Sequence, residues 1–197
     1  MTYKSAEIRW FSEKAEELWA IYEKLPPKGE GIAEAPRTDH YLKTGLEHTG
    51  IKIREGNHEI KVKSGEDEAT PYGPLEQWVK WSYPEEQNIL NSIGKEFLNE
   101  WMAVGKARYK KTYRILGPGR LAYSDSGWVE EGCGVEFTEL FLPDQDRRFY
   151  TLGFEAFGTH HSPSRNLLAA LESLKPDVDL LQQKGCMSYP VWLKRWG

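Results

Sequence analysis

The chain has 197 residues and a mass of 22.7 kDa, with 39% hydrophobic and 13% aromatic residues, enough to build one well-packed domain spanning residues 1–197. A net charge of -4 and a pI near 5.8 argue against a nucleic-acid binder coated in positive charge, and no apolar run reaches the roughly 20 residues of a membrane span. Two cysteines, Cys133 and Cys186, form no CxxC pair or even framework, so a reduced, soluble, cytoplasmic protein is expected.

In chain order, "AEIRWF" reads as a first strand. Ser12 then reads as the N-cap of a helix carrying Ala15, Leu18, Tyr22 and Leu25, which Pro26-Pro27 stops. The Gly/Pro-rich stretch from Lys28 to Arg37 reads as a loop, with "DHYL" opening the next strand. "GIKIREGNHEIKVK" predicts a hairpin turning at Glu55-Gly56-Asn57. Its period of two puts Ile51, Ile53, Ile60 and Val62 opposite Lys52, Arg54, Lys61 and Lys63. "LEQWVKWSY" alternates as well, setting Trp78 and Lys80 against Gln77, Val79 and Trp81. Pro84 then opens a predicted helix with a stripe of Ile89, Leu90, Ile93, Phe97, Leu98 and Trp101.

Strand chemistry returns in "GKARYKKTYRIL", "RLAYSD", "CGVEFTELFLP" and "RFYTLGFEAFG", with a turn at Gly117-Pro118-Gly119. Ser162-Pro163 starts a helix with Leu167, Leu168, Leu171 and Leu174 that ends before Pro176, the beginning of a helical extension over about 162–197. The tail "YPVWLKRWG" either docks on the domain or meets a partner. The fold class expected from these elements is α+β, with about seven or eight strands and with helices at both ends and in the middle.

Lys52, Arg54, Lys61 and Lys63 crowd one face of the hairpin, and Lys106, Arg108 and Lys110 repeat the habit on a later strand, with Lys80 on a third. Like charges opposite one another repel. Either these are solvated outer faces, or the sheet closes so that they ring an interior holding water and a multiply charged anion. Glu155, between Phe154 and Ala156 in an apolar strand, is either paired with an interior cation or turned outward. The histidines, including His160-His161, have no HxH or HxxxH spacing and read as surface; "GPGR" lacks the ending of a P-loop; no GxSxG elbow surrounds Ser124 or Ser126.

In this order the segments resemble the CYTH superfamily of triphosphate tunnel metalloenzymes. Glu7-Ile8-Arg9 stands where that family has an ExExK strand. Tyr41 and Thr44, Ile51-Lys52-Ile53-Arg54, Ile60-Lys61-Val62-Lys63 and Lys106-Ala107-Arg108 follow, then Asp125, then Glu139 with Leu142-Pro143-Asp144. The resemblance implies an antiparallel β-barrel (tunnel) with flanking helices, in which Lys52, Arg54, Lys61, Lys63, Lys80, Lys106 and Arg108 clamp phosphate oxygens. It also implies that Glu7 and Glu139, with Glu136 or Glu155, hold Mg or Mn. The sequence departs from the pattern at Arg9, Phe11, Lys43 and Phe141, so each carboxylate pair has lost a member. Two functions follow: a metal-dependent triphosphate phosphohydrolase, or a non-catalytic protein binding a phosphorylated or polyanionic small molecule. A lipocalin-like barrel for an apolar ligand is the third reading, and it requires the cations to face outward.

Overall fold

The computed structural model describes residues 2–84, 95–117, 119–126 and 129–196. The strands are β1 (Thr2–Ser12), β2 (Ile32–Leu42), β3 (Thr49–Arg54), β4 (Asn57–Lys63), β5 (Glu68–Thr70), β6 (Gly73–Pro84), β7 (Trp101–Gly117), β8 (Arg120–Tyr123), β9 (Gly132–Leu142), β10 (Arg147–Phe157) and β11 (Gly185–Cys186). The helices are α1 (Ala15–Lys24), α2 (Pro163–Leu174), α3 (Val178–Gln182) and α4 (Tyr189–Trp196). Eight strands pair antiparallel in the order β1-β10-β9-β7-β2-β3-β4-β6. The pairing of β6 back onto β1, Thr2 with Trp81 through Glu7 with Glu76, closes the barrel. Closure removes the free edges of an open sheet and gives every strand one inward and one outward face.

The main apolar core lies outside this barrel. Ala6, Ile8 and Trp10 of β1 point outward with Val135 and Phe137 of β9 and Leu152, Phe154 and Ala156 of β10. They are covered by Leu18, Ile21 and Tyr22 of α1 and by Leu167, Ala170 and Leu171 of α2. Helix α2 starts as the sequence predicts: the Ser162 side chain accepts the Arg165 N–H at 3.3 Å, and Pro163 takes the first turn, where its missing N–H costs nothing. Lys111, also outward on β7, is fully buried under α1 and donates to the carbonyls of Tyr22 and Leu25 at 2.9 and 2.8 Å, satisfying the end of that helix.

Four sequence expectations change. The stretch read as a loop from Lys28 to Arg37 is largely β2, whose ladder with β7 is irregular between Glu34 and Arg37. Pro36 falls in that break, where a strand tolerates a residue without an N–H. Ser12 belongs to β1, and the helix begins two residues after Glu13, with Lys14 at its cap. Ser12 Oγ accepts the Lys14 N–H at 3.0 Å instead. The helix expected after Pro84 falls mostly on 85–94, outside the described residues; Lys95–Glu100 is a 3-10 turn, and Trp101 already belongs to β7. The hairpin turn is the two residues Glu55 and Gly56, both at positive φ, because the two-residue turn that fits strand twist needs both there. Among the described residues no helix is long and apolar enough to cross a membrane.

The position of the core yields a test. Phe154→Ala should cost about 3–5 kcal/mol in urea denaturation, since its fully buried ring meets Trp10 edge-on, whereas exposed Leu116→Ala should stay within about 0.5 kcal/mol.

Candidate functional site

Because the apolar faces of β1, β9 and β10 turn outward to the helices, their alternate residues turn into the lumen. A cavity of about 110 Å³ lies there. Among the described residues it is lined by eight cations, Arg9, Arg37, Lys52, Arg54, Lys61, Lys80, Lys106 and Arg108, and by four carboxylates, Glu7, Glu59, Glu136 and Glu155. The sequence alternative of solvated outer faces therefore does not describe these strands.

Most of these charges form one continuous network. Lys61 binds Glu7 and lies 3.8 Å from Glu155. Arg9 Nε donates to Glu7 at 2.8 Å, its Nη1 to Thr151 Oγ1 at 2.9 Å and its Nη2 to Glu136 at 3.4 Å. Glu136 also accepts from Arg108 at 2.7 Å, and Arg108 binds Glu34. Glu34 pairs with Arg37 at 3.1 Å, and Arg37 with Asp39 at 3.1 Å. Asp39 lies 3.4 Å from Lys52 and 3.1 Å from Lys106, and Glu59 joins Lys52 at 3.1 Å to Arg54. Arg9 reaches its partners because β10 has Gly153 opposite it: a Cβ there would stand 2.4 Å from Arg9 Cζ.

Titration reflects where the balance fails. Burial pushes the Glu7 carboxyl up, but Lys61 and Arg9 outweigh it and hold it at about 2. The same contest holds Glu136, beside Arg108 and Arg9, and Asp39, beside Lys106, Lys52 and Arg37, well below the usual carboxylate range. Burial, with the Lys106 charge adding to it, pushes Lys52 down to about 8. Burial also carries Lys106 down to about 8 although Asp39 works the other way. The carboxylates are over-supplied with cations, and two lysines are under-supplied with anions.

Of the cations the sequence singled out, Lys52, Arg54, Lys61, Lys80, Lys106 and Arg108 line the cavity. Lys63 is off it, held by Asp67 at 2.6 Å and Glu76 at 3.0 Å. Glu7, Glu136 and Glu155 line the cavity, and Glu155 takes the inward of its two readings. Glu139 does not. It lies three residues from Glu136, an odd step along β9, so it shares the outward face of Phe137 and binds Arg148 there. The partners that sequence reasoning missed are Glu34 and Arg37, hidden in the misread start of β2, with Asp39, Glu59 and Tyr189. The alternation Arg37, Asp39, Tyr41 was the available signal.

The Mg or Mn implied by the resemblance has no ready seat. Glu7 and Glu136 are both engaged by Arg9, Glu139 is on the other face, and among the described residues no three Asp, Glu, His or Cys side chains come together.

The fold and site define a closed, eight-stranded antiparallel barrel with a charged lumen and flanking helices. No family model matches the chain, and no curated protein sequence does. Among solved structures, the S. pombe RNA triphosphatase Pct1 is similar over 99% of this chain and 80% of that one, at 9% identity and a TM-score of 0.39.

Two outcomes test the electrostatics. Lys52 and Lys106 hold protons less tightly in the folded chain, at about 8, than at their ordinary 10.5. The unfolded chain thus binds more protons between those values, and stability rises with pH across that window. Lys52→Met should flatten the rise in chemical denaturation at about pH 8 and about pH 10.5; an unchanged slope would clear Lys52 of this role. Arg9→Met should cost about 1–3 kcal/mol near neutral pH, because it removes buried charge-assisted hydrogen bonds while Glu7 keeps Lys61 and Glu136 keeps Arg108.

Proposed function

We propose that this protein is a divergent CYTH-like protein whose barrel pocket binds a phosphorylated or otherwise polyanionic small molecule. The observation that carries the reading is the excess of cationic over carboxylate side chains on the cavity wall, Lys106 being buried among them and both Lys52 and Lys106 holding their protons less tightly than usual. Neutralising positive charge out of water is strongly favourable for an anion bearing several charges, and arginines such as Arg54 and Arg108 offer planar two-point bonds to phosphate. An apolar ligand would leave the surplus positive charge of the wall unanswered.

Binding without metal-dependent turnover is the form of this function that the residues favour. A phosphohydrolase of the tunnel type needs carboxylates available to an ion, and here Arg9 engages both Glu7 and Glu136. The two free cysteines suit a reducing, cytoplasmic setting.

Inorganic triphosphate should raise the melting temperature at low salt, equally with and without a chelator, and added salt should shrink the shift. Arg54→Ala should weaken calorimetric binding by about 1.5–3 kcal/mol, the scale of a hydrogen bond to a charged group, while Glu59 keeps Lys52 as a partner. Binding near pH 9 should take up protons as the anion recharges Lys52 and Lys106, which titration in buffers of differing ionisation enthalpy reads directly. No response to triphosphate, pyrophosphate or citrate would overturn the proposal.

A further inference from the structure

At one end of the barrel the inward faces of β1, β7, β9 and β10 turn apolar, and Phe11, Met102, Leu140, Leu142 and Phe149 pack there around Trp192 of α4. Trp192 stacks on Phe11, centroids 5.4 Å apart and 12° from parallel, and meets Phe149 edge-on at 5.3 Å. Above this plug, Tyr41 and Tyr189 stack at 6.1 Å and form a floor under the charged cavity. Lys106 lies over both rings, 5.0 and 4.1 Å from their centroids.

A second cavity, of about 160 Å³, lies beside the plug where β2 and β3 part. Those two strands pair only at His40 with Ile53 and at Tyr41 with Lys52, and the connection over 43–48 then swings between them. Helix α4 stands across the gap. Pro190 is 3.4 Å from where a Cβ on Gly50 would stand, and Pro190 and Leu193 line both cavities as a partition. The connection itself is pinned: the Lys43 N–H donates to the Glu100 carbonyl at 2.8 Å, and the Thr44 hydroxyl donates to the Thr49 carbonyl at 3.3 Å and accepts the Leu46 N–H at 3.2 Å. Lys194 of α4 ties the helix to the same connection through Glu47 at 2.8 Å. The walls of the cavity are therefore set without an occupant, as those of small-molecule pockets usually are.

We propose that this side cavity is a second binding site, for a small carboxylate that carries one aromatic ring or a short alkyl chain. Leu42, Met102, Pro190 and Leu193 give it an apolar wall, and among the described residues its lining has two cations, Lys43 and Lys194, and no carboxylate. An apolar cavity of about 150 Å³ accommodates one benzene-sized group. A ring seated there meets the Met102 thioether, a favourable partner for an aromatic edge. Lys43 stands on the lip formed by the connection and Lys194 on the lip formed by α4, so a single carboxylate between them answers both with charge-assisted hydrogen bonds. The site shares its partition with the lumen but none of the lumen's cations, so it stands whether or not an anion binds in the lumen.

Isotope labelling of the methionine methyl groups provides the test, because Met102 is the methionine on this wall. Benzoate and hexanoate should shift the Met102 methyl resonance saturably, and the benzoate ring protons should show nuclear Overhauser contacts with that methyl group. Benzyl alcohol and benzylamine should bind at least about five-fold more weakly than benzoate. Lys43→Met should weaken benzoate several-fold, and Leu193→Trp, which fills the cavity, should abolish the shift. No saturable Met102 shift with either carboxylate would overturn the site. Calorimetric binding of benzoate without contacts to the Met102 methyl would put the carboxylate elsewhere and overturn it as well. Equal affinity for benzoate and benzyl alcohol, or for benzoate in the parent chain and in Lys43→Met, would overturn the assignment of an anion.

Discussion

Charge inside a closed barrel must be answered inside it. Once β6 pairs with β1, none of the eight barrel strands is an open edge, and inward side chains face one another across the lumen. Arg9, Lys61, Lys106 and Arg108 are therefore held by Glu7, Glu136, Asp39 and Glu34, in pairs that lie within one strand, between neighbours, or, as for Lys61 with Glu7, across an intervening strand. The network runs unbroken from Glu155 to Arg54, and breaking any one pair leaves a charge in a place where desolvation is expensive.

That arrangement depends on an apolar core placed elsewhere. Helices α1 and α2 cover one outer wall of the barrel, so Ile8, Trp10, Phe137, Leu152 and Phe154 are buried without filling the lumen. The smaller cluster around Trp192 supplies the complement: it fills one end of the lumen and leaves the remainder to the charged residues. Charge and apolar packing are thus separated along the barrel axis as well as across its wall, and the aromatic floor of Tyr41 and Tyr189 is the boundary between them.

Glycine and parity settle details with large consequences. Gly153 gives the Arg9 guanidinium room against β10, and any side chain there would collide with it. On β9, Glu136 and Glu139 are both acidic, yet three residues separate them, so one enters the network and the other binds Arg148 outside. A carboxylate position inferred from the wording of a motif fails when the register differs by one.

The sequence by itself determined the alternation that puts Lys52, Arg54 and Lys61 on one face, the same habit at Lys106 and Arg108, and the capping of α2 by Ser162 and Pro163. Each of these rests on neighbours a few residues apart, where the period of a strand or the first turn of a helix fixes direction. It did not reveal the first half of β2, because Gly31 and Pro36 read as loop until a ladder with β7 and a bulge accommodate them. Nor could it say whether the cations face water or one another, which carboxylates answer them, or that α4 closes one end. Those are contacts across large separations in the chain, such as Arg9 with Glu136 and Phe11 with Trp192, and only barrel closure brings them together.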